Sequence, residues 1–219
     1  MDELNRAGVQ RLNISLDTLD RKDYEYITGR DVLHKVLDGI DMAKNLGFEP
    51  IKINMVVMAG INDHQIDPML SYCIEHNFTL RLIETMPMGS SGQEARYLNL
   101  QPIRRRLQDK FDLVDSVMTG GGPARYLASR DGNFNVGFIT PISQHFCASC
   151  NRVRLAVDGT LYLCLGHNDR YEFRELLRTG ISDSDLREAI CIAINRKPER
   201  HAFNDSPEQI VRLMSMTGG

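Results

Sequence analysis

A chain of 219 residues, 42% hydrophobic and 25% charged, has the composition of a globular protein that buries roughly 70% of its unfolded surface. A formal net charge of −3 and the lack of any apolar run near the roughly 18 residues of a membrane span exclude a whole-molecule case for nucleic-acid or membrane binding, so any anion site must be local. Five cysteines, an odd number, and a charged opening MDELNRAG without an export signal lead us to expect a reducing cytoplasm and free thiols.

The first third alternates short apolar runs with helical patterns. After a short opening helix, VQRLNISL predicts a strand over Val9–Leu16, and Val32–Leu46 carries apolar residues at helical spacing that stop at Gly47. IKINMVVM predicts a second strand over Ile51–Met58, a helix follows over Gln65–Glu75, and FTLRLIETM predicts a third strand over Phe78–Met86. Strands separated by helices of this length imply right-handed βαβ crossovers and a parallel sheet, hence an α/β fold.

Beyond Met86 the pattern changes, and a domain boundary near residue 90 divides the expectation into 1–90 and 91–219. PMGSSGQ reads as a loop and Gln101–Lys110 as a charged helix with a solvated face, IRRRLQDK, rather than a nucleic-acid surface. Phe111–Val117 and Asn133–Thr140 read as strands. TGGGPAR, between them, lacks the G-K-[ST] ending of a phosphate loop and reads as a turn. Helices are expected over Glu172–Leu177 and Ser182–Ile194.

The run FCASCNRVRLAVDGTLYLCLG sets Cys147, Cys150 and Cys164 in a C-x2-C-x13-C spacing. Structural zinc normally takes four protein ligands and iron–sulfur clusters usually four thiolates, so three cysteines suggest a metal centre with one open position for a substrate. Arg152 and Arg154 alternate on an expected strand beside them, where two cationic forks suit a phosphate. A Cys3His zinc knuckle completed by His145 or His167 is the other chemistry this spacing allows. Cys73 and Cys191 lie in helical apolar patterns and read as small buried hydrophobes.

Carboxyl ends of parallel strands commonly carry ligand groups. Asn13, Ser15 and Asp17 share one face of the first strand, Lys52 and Asn54 one face of the second, and Arg81, Glu84 and Met86 belong to the third. Lys52 interrupts an apolar run, which predicts an anion or carboxylate waiting for its ammonium.

Taken in order, LNISLDTLD, KINMVVMAGIND, RLIETMPMG, the cysteine run and a terminal Gly218-Gly219 pair resemble the radical S-adenosylmethionine GTP 3′,8-cyclase family of molybdenum cofactor biosynthesis. The resemblance implies the C-terminal part of an incomplete (β/α)6 TIM-like barrel plus a C-terminal iron–sulfur cluster domain. It implies that Cys147, Cys150 and Cys164 hold a [4Fe-4S] cluster, that Lys52, Arg152 and Arg154 contact GTP, and that Ser15 and Met86 line the S-adenosylmethionine pocket. In the family, a radical made at an N-terminal cluster with a C-x3-C-x2-C motif takes a ribose hydrogen, and the carbon radical attacks guanine C8 to give (8S)-3′,8-cyclo-7,8-dihydroguanosine 5′-triphosphate. The terminal glycine pair reaches toward that active site.

No C-x3-C-x2-C occurs in these residues, which match the C-terminal two-thirds of the family pattern. The expectation is therefore a truncated product, a fragment or one half of a split enzyme, inactive alone, with S-adenosylmethionine and the second [4Fe-4S] cluster belonging to the complete enzyme. An N-terminal fragment acting in trans and a homodimer are partners to test alongside GTP. A zinc-stabilised non-catalytic binding module and another twin-cluster radical enzyme are the alternative readings.

Overall fold

A computed structural model describes residues 2–118, 122–206, 210, 212 and 214–217. The Gly218-Gly219 pair and Thr119–Gly121 of the expected turn lie outside the described residues. Two compact units emerge, one of residues 1–85 and 96–143, the other of 86–95 and 144–219. They divide elsewhere than at residue 90, because strands late in the chain pair into the sheet begun by the first strands.

In the first unit, helix α1 (Asp2–Arg6) leads to strand β1 (Leu12–Ser15). The strand is shorter than Val9–Leu16 because the Val9 amide donates to the Leu4 carbonyl at 3.0 Å, closing the helix instead of extending the sheet. Helix α2 (Arg21–Thr28), absent from the sequence reading, is held by its ends: Asp20 Oδ1 accepts from the amides of Lys22 and Asp23 at 2.8 and 3.0 Å, and Gly29 closes it in the left-handed conformation. Helix α3 (Leu33–Asn45), strand β2 (Ile51–Val57), helix α4 (Ile66–His76) and strand β3 (Thr79–Glu84) follow as the hydrophobic periods predict. Asn77, at φ 60°, turns the chain out of α4.

Helix α5 (Gly89–Glu94) occupies the segment expected as a loop and belongs to the second unit. A Cβ on Gly92 would stand 2.5 Å from the Met86 carbonyl oxygen. The same small residues that read as a linker therefore permit a helical turn to sit on backbone. Helix α6 (Leu100–Lys110) returns to the first unit, followed by strands β4 (Leu113–Ser116), β5 (Arg125–Ser129) and β6 (Asn135–Ile139). β5 escaped the sequence reading; its Arg125 was assigned to the turn TGGGPAR.

The sheet runs β1-β2-β3-β6-β5-β4, parallel from β1 to β6 and antiparallel through β5 and β4. Its two faces differ. Ile51, Ile53, Met55, Val57, Leu80, Leu82, Val136 and Phe138 are buried in one core with Ile40, Met69, Leu70, Leu100 and Leu107 of α3, α4 and α6. The alternate positions Lys52, Asn54 and Arg81 are only half-buried. One-sided burial gives the strands their alternation and leaves a polar face without that apolar cover.

The second unit carries a three-stranded antiparallel sheet, β7 (Arg154–Leu155), β8 (Thr160–Tyr162) and β9 (Arg170–Glu172), with helices α7 (Arg174–Arg178) and α8 (Asp183–Asn195). Its small core joins Leu161, Leu163, Phe173, Ala189 and Ala193. α8 buries its alanines, so Cys191 on another face is exposed, contrary to the expected buried hydrophobe; Cys73 in α4 is buried as expected.

Candidate functional site

On the polar face of the first sheet, register builds a row across strands: Ser15 pairs with Asn54, Asn54 with Arg81, Arg81 with Gly137, and Gly137 with Tyr126. Arg81 Nε donates to Asn54 Oδ1 at 2.7 Å and its Nη2 to Asn13 Oδ1 at 2.6 Å. Lys52 Nζ stands 5.7 Å from the centre of the Tyr126 ring, a cation–π contact on the polar face. Gly137 makes room for that ring, since a Cβ there would meet Tyr126 Cε1 at 2.7 Å. The neighbour seen at Lys52 is an aromatic ring in place of the expected anion, and the sequence could not place it because Tyr126 lies on an unforeseen strand.

The carboxyl end of β3 is anchored by Glu84, which is fully buried. Its Oε1 accepts from the Leu100 amide at 3.2 Å and the Tyr97 hydroxyl at 3.4 Å, and its Oε2 from the amides of Ile142 and Ser143 at 3.1 and 3.0 Å. One carboxylate ties two later segments to the strand end. Nearby, Asp17 accepts from the Val56 amide at 2.7 Å, and burial pushes its carboxyl above the usual range.

In the second unit the three cysteines of C-x2-C-x13-C are free thiols, each half-buried. Cys147 opens a short 3-10 turn, and the Cys150 amide donates to its carbonyl at 3.0 Å. Burial pushes the Cys164 thiol up, the neighbouring Cys147 and Cys150 add to this, and the Gly166 amide and Lys197 charge oppose it. All three are therefore electrostatic neighbours. Lys197 Nζ donates to the carbonyls of Arg152 and Leu163 at 2.9 and 2.6 Å. Arg212 Nη2 donates to the carbonyls of Cys164, Leu165 and His167 at 3.1, 3.0 and 2.9 Å. Neither basic residue was singled out in the sequence, where 45 residues separate Lys197 from Arg152 and nothing marks the pairing.

Arg154 opens β7, while Arg152 lies before it, so strand alternation alone does not set the two on one face as expected. Their proximity is electrostatic: burial, then the Arg152 charge, holds the Arg154 guanidinium below its ordinary range. Two crowded cations are relieved by an anion. Met86, beyond the end of β3, is half-buried, and its carbonyl accepts from the Met88 amide at 2.8 Å.

The donor set suits an iron–sulfur cluster: three soft thiols beside a buried Arg212 Nε that has no hydrogen-bond partner among the described residues. Among the described residues no three His, Cys, Asp or Glu side chains gather closely enough for a single ion. A cubane does not require that, because each thiolate takes a different iron. His167 Nε2 lies 2.9 Å from the Arg200 carbonyl and its Nδ1 3.6 Å from Asp169 Oδ2. No helix of the described residues is long and apolar enough to cross a membrane.

Comparison with known families and proteins agrees with this chemistry. The radical SAM superfamily profile matches residues 1–73, and the family described as Molybdenum Cofactor Synthesis C matches residues 78–203. A GTP 3′,8-cyclase of Ectopseudomonas mendocina is 43% identical over 221 residues, covering 99% of this chain and 67% of the relative. GTP 3′,8-cyclase 2 of Pseudomonas aeruginosa is 43% identical over 222 residues with the same coverages, and the GTP 3′,8-cyclase of Paracoccus denitrificans is 43% identical over 224 residues, covering 99% of this chain and 65% of its own length. The chain thus spans about two thirds of the length of its relatives, and across nearly all of its own residues it belongs to the GTP 3′,8-cyclase family of the radical SAM superfamily.

Proposed function

We propose that these residues form the substrate-holding part of a GTP 3′,8-cyclase acting in molybdenum cofactor biosynthesis. The parallel strands β1, β2, β3 and β6 would be an arc of a (β/α)6 TIM-like barrel, with the polar face as its lining. Cys147, Cys150 and Cys164 would hold a [4Fe-4S] cluster, which, when bound, supplies an open iron for a guanine ring atom. Arg152, Arg154 and Lys52 would grip the triphosphate, and Ser15 and Met86 would line the S-adenosylmethionine pocket.

The observation that carries this reading is the coincidence of three free thiols, with Cys147 and Cys150 acting on Cys164, and of Arg152 acting on Arg154, in one compact unit of a family member. Within that unit the chain's own work is positional: the turn through Cys147–Ser149 and the Lys197 and Arg212 contacts hold the thiol loops in place. Fixing sugar and base against each other favours a ring closure whose main requirement is proximity. Cleavage of S-adenosylmethionine is assigned to a C-x3-C-x2-C segment that these 219 residues do not contain.

The test is anaerobic reconstitution followed by binding. The chain should take up about four irons, and Cys147→Ala, Cys150→Ala or Cys164→Ala should abolish uptake while Cys73→Ala and Cys191→Ala leave it intact. The loaded chain should bind GTP more tightly than ATP or guanosine, and Arg152→Ala or Arg154→Ala should each cost about 1.5 to 3 kcal/mol for GTP and little for guanosine. Equal affinities for the three ligands, unmoved by either arginine change, would remove the substrate-site assignment. One zinc per chain and no cluster would favour the binding module.

A further inference from the structure

Arg212 is a buried cation with no ion pair among the described residues. Its side chain belongs to a residue only 6% exposed, and its Nε is buried without a hydrogen-bond partner among the described residues. The guanidinium carbon lies 4.2 Å from the centre of the Tyr162 ring of β8. One nitrogen, Nη2, shares its two hydrogens among the carbonyls of Cys164, Leu165 and His167. Like charges press on it from Arg170 and Arg154. Taking a guanidinium out of water is costly unless an opposite charge is near, and two of its described neighbours are themselves cations.

We propose that Arg212 is a positioning residue for the metal centre: it latches the chain beyond residue 210 onto the loop that carries Cys164 and supplies the counter-charge to a thiolate-held cluster. The proposal rests on the assignment of the cluster to Cys147, Cys150 and Cys164. Three carbonyls converging on one guanidinium nitrogen curl residues 164–167 around it, so the direction in which Cys164 offers its sulfur depends on the fork remaining in place. Three thiolates give the centre an excess of negative charge, and a fixed buried cation beside it stabilises the more reduced state and opposes loss of iron. Hydrogen-bonding partners behind a metal ligand commonly set metal affinity by about 10- to 100-fold, the size expected here.

The experiment compares Arg212→Lys, Arg212→Gln and Arg212→Met with the parent full chain after anaerobic reconstitution. Iron and sulfide per chain, the rate of iron transfer to a chelator, and the midpoint potential from a redox titration are measured, with thermal unfolding of the metal-free chains as a check on folding. Arg130→Met is the control, since Arg130 is an exposed cation of the first unit paired with Asp112. The expected result is iron transfer about 10- to 100-fold faster in Arg212→Met than in the parent, intermediate in Arg212→Lys and Arg212→Gln. The potential should move to more negative values in the Gln and Met variants, which lose the charge, and stay near the parent value in Arg212→Lys. Arg212→Met retaining iron as long as the parent, at an unchanged potential, overturns the proposal and leaves the cluster assignment standing. Faster transfer with the same potential in all three variants overturns the counter-charge role. A parent chain that takes up no iron overturns both the cluster assignment and the latch.

Discussion

Glu84 offers the sharpest test of how the fold holds its strand ends. The carboxylate is fully buried and accepts three backbone amides, from Leu100, Ile142 and Ser143, besides the Tyr97 hydroxyl. In Glu84→Gln one oxygen survives and is best spent on the Ile142 and Ser143 pair, which turns the amide NH2 toward the Leu100 N–H. One buried donor is then stranded, at about 2 kcal/mol. Glu84→Ala strands three, and at 1 to 3 kcal/mol each the loss should reach about 4 kcal/mol even if water reaches some of them. With a urea dependence of about 2 kcal/mol per molar, these losses correspond to midpoint shifts of about 1 M and 2 M. Urea unfolding followed by circular dichroism gives the totals, and hydrogen exchange at Leu100, Ile142 and Ser143 locates them. The reasoning fails if Glu84→Gln costs as much as Glu84→Ala, or if both stay within about 0.5 kcal/mol of the parent.

Three further outcomes are expected. The Arg106 side chain, then Lys110, holds the Asp67 carboxyl at about 2, below its ordinary 3.8, so its stabilisation is fully present above 3.8 and is lost as pH falls through 2. Because the Asp67 side chain is 35% exposed, screening reduces this to about 1 kcal/mol. Asp67→Asn should therefore lower stability at pH 7 by about that amount and match the parent near pH 2, as read by unfolding at both pH values. In the folded metal-free chain at pH 8, a thiol reagent should modify exposed Cys191 long before Cys73, whose thiol burial pushes up to about 12; equal rates would contradict the packing of α4. Gly137→Ala should displace the Tyr126 ring, 2.7 Å from the new Cβ, and the Arg81 stem at 3.1 Å, costing about 1 to 3 kcal/mol in unfolding measurements. An Ala variant as stable as the parent would show that the ring has room to move.

The sequence by itself determined what depends on local period and local chemistry. Ile51–Val57 alternates buried and half-buried residues because one face meets a core, and that period is written in IKINMVV. The β/α order of the first 86 residues, the C-x2-C-x13-C spacing and the family motifs were equally legible, since each is carried by neighbours in the chain. Tertiary structure decided what depends on distant partners. Nothing near Arg125–Ser129 marks it as the strand that brings Tyr126 under Lys52; pairing with β4 and β6 does that. PMGSSGQ reads as a linker until Gly92 is seen to lie on the Met86 carbonyl. Asp20 and Gly29 could have betrayed α2 through their capping chemistry, but its apolar content is too thin for periodicity to show it. Arg212 and Lys197 carry no mark in the sequence, because their contacts are carbonyls 34 to 48 residues away that converge only when the thiol loops fold.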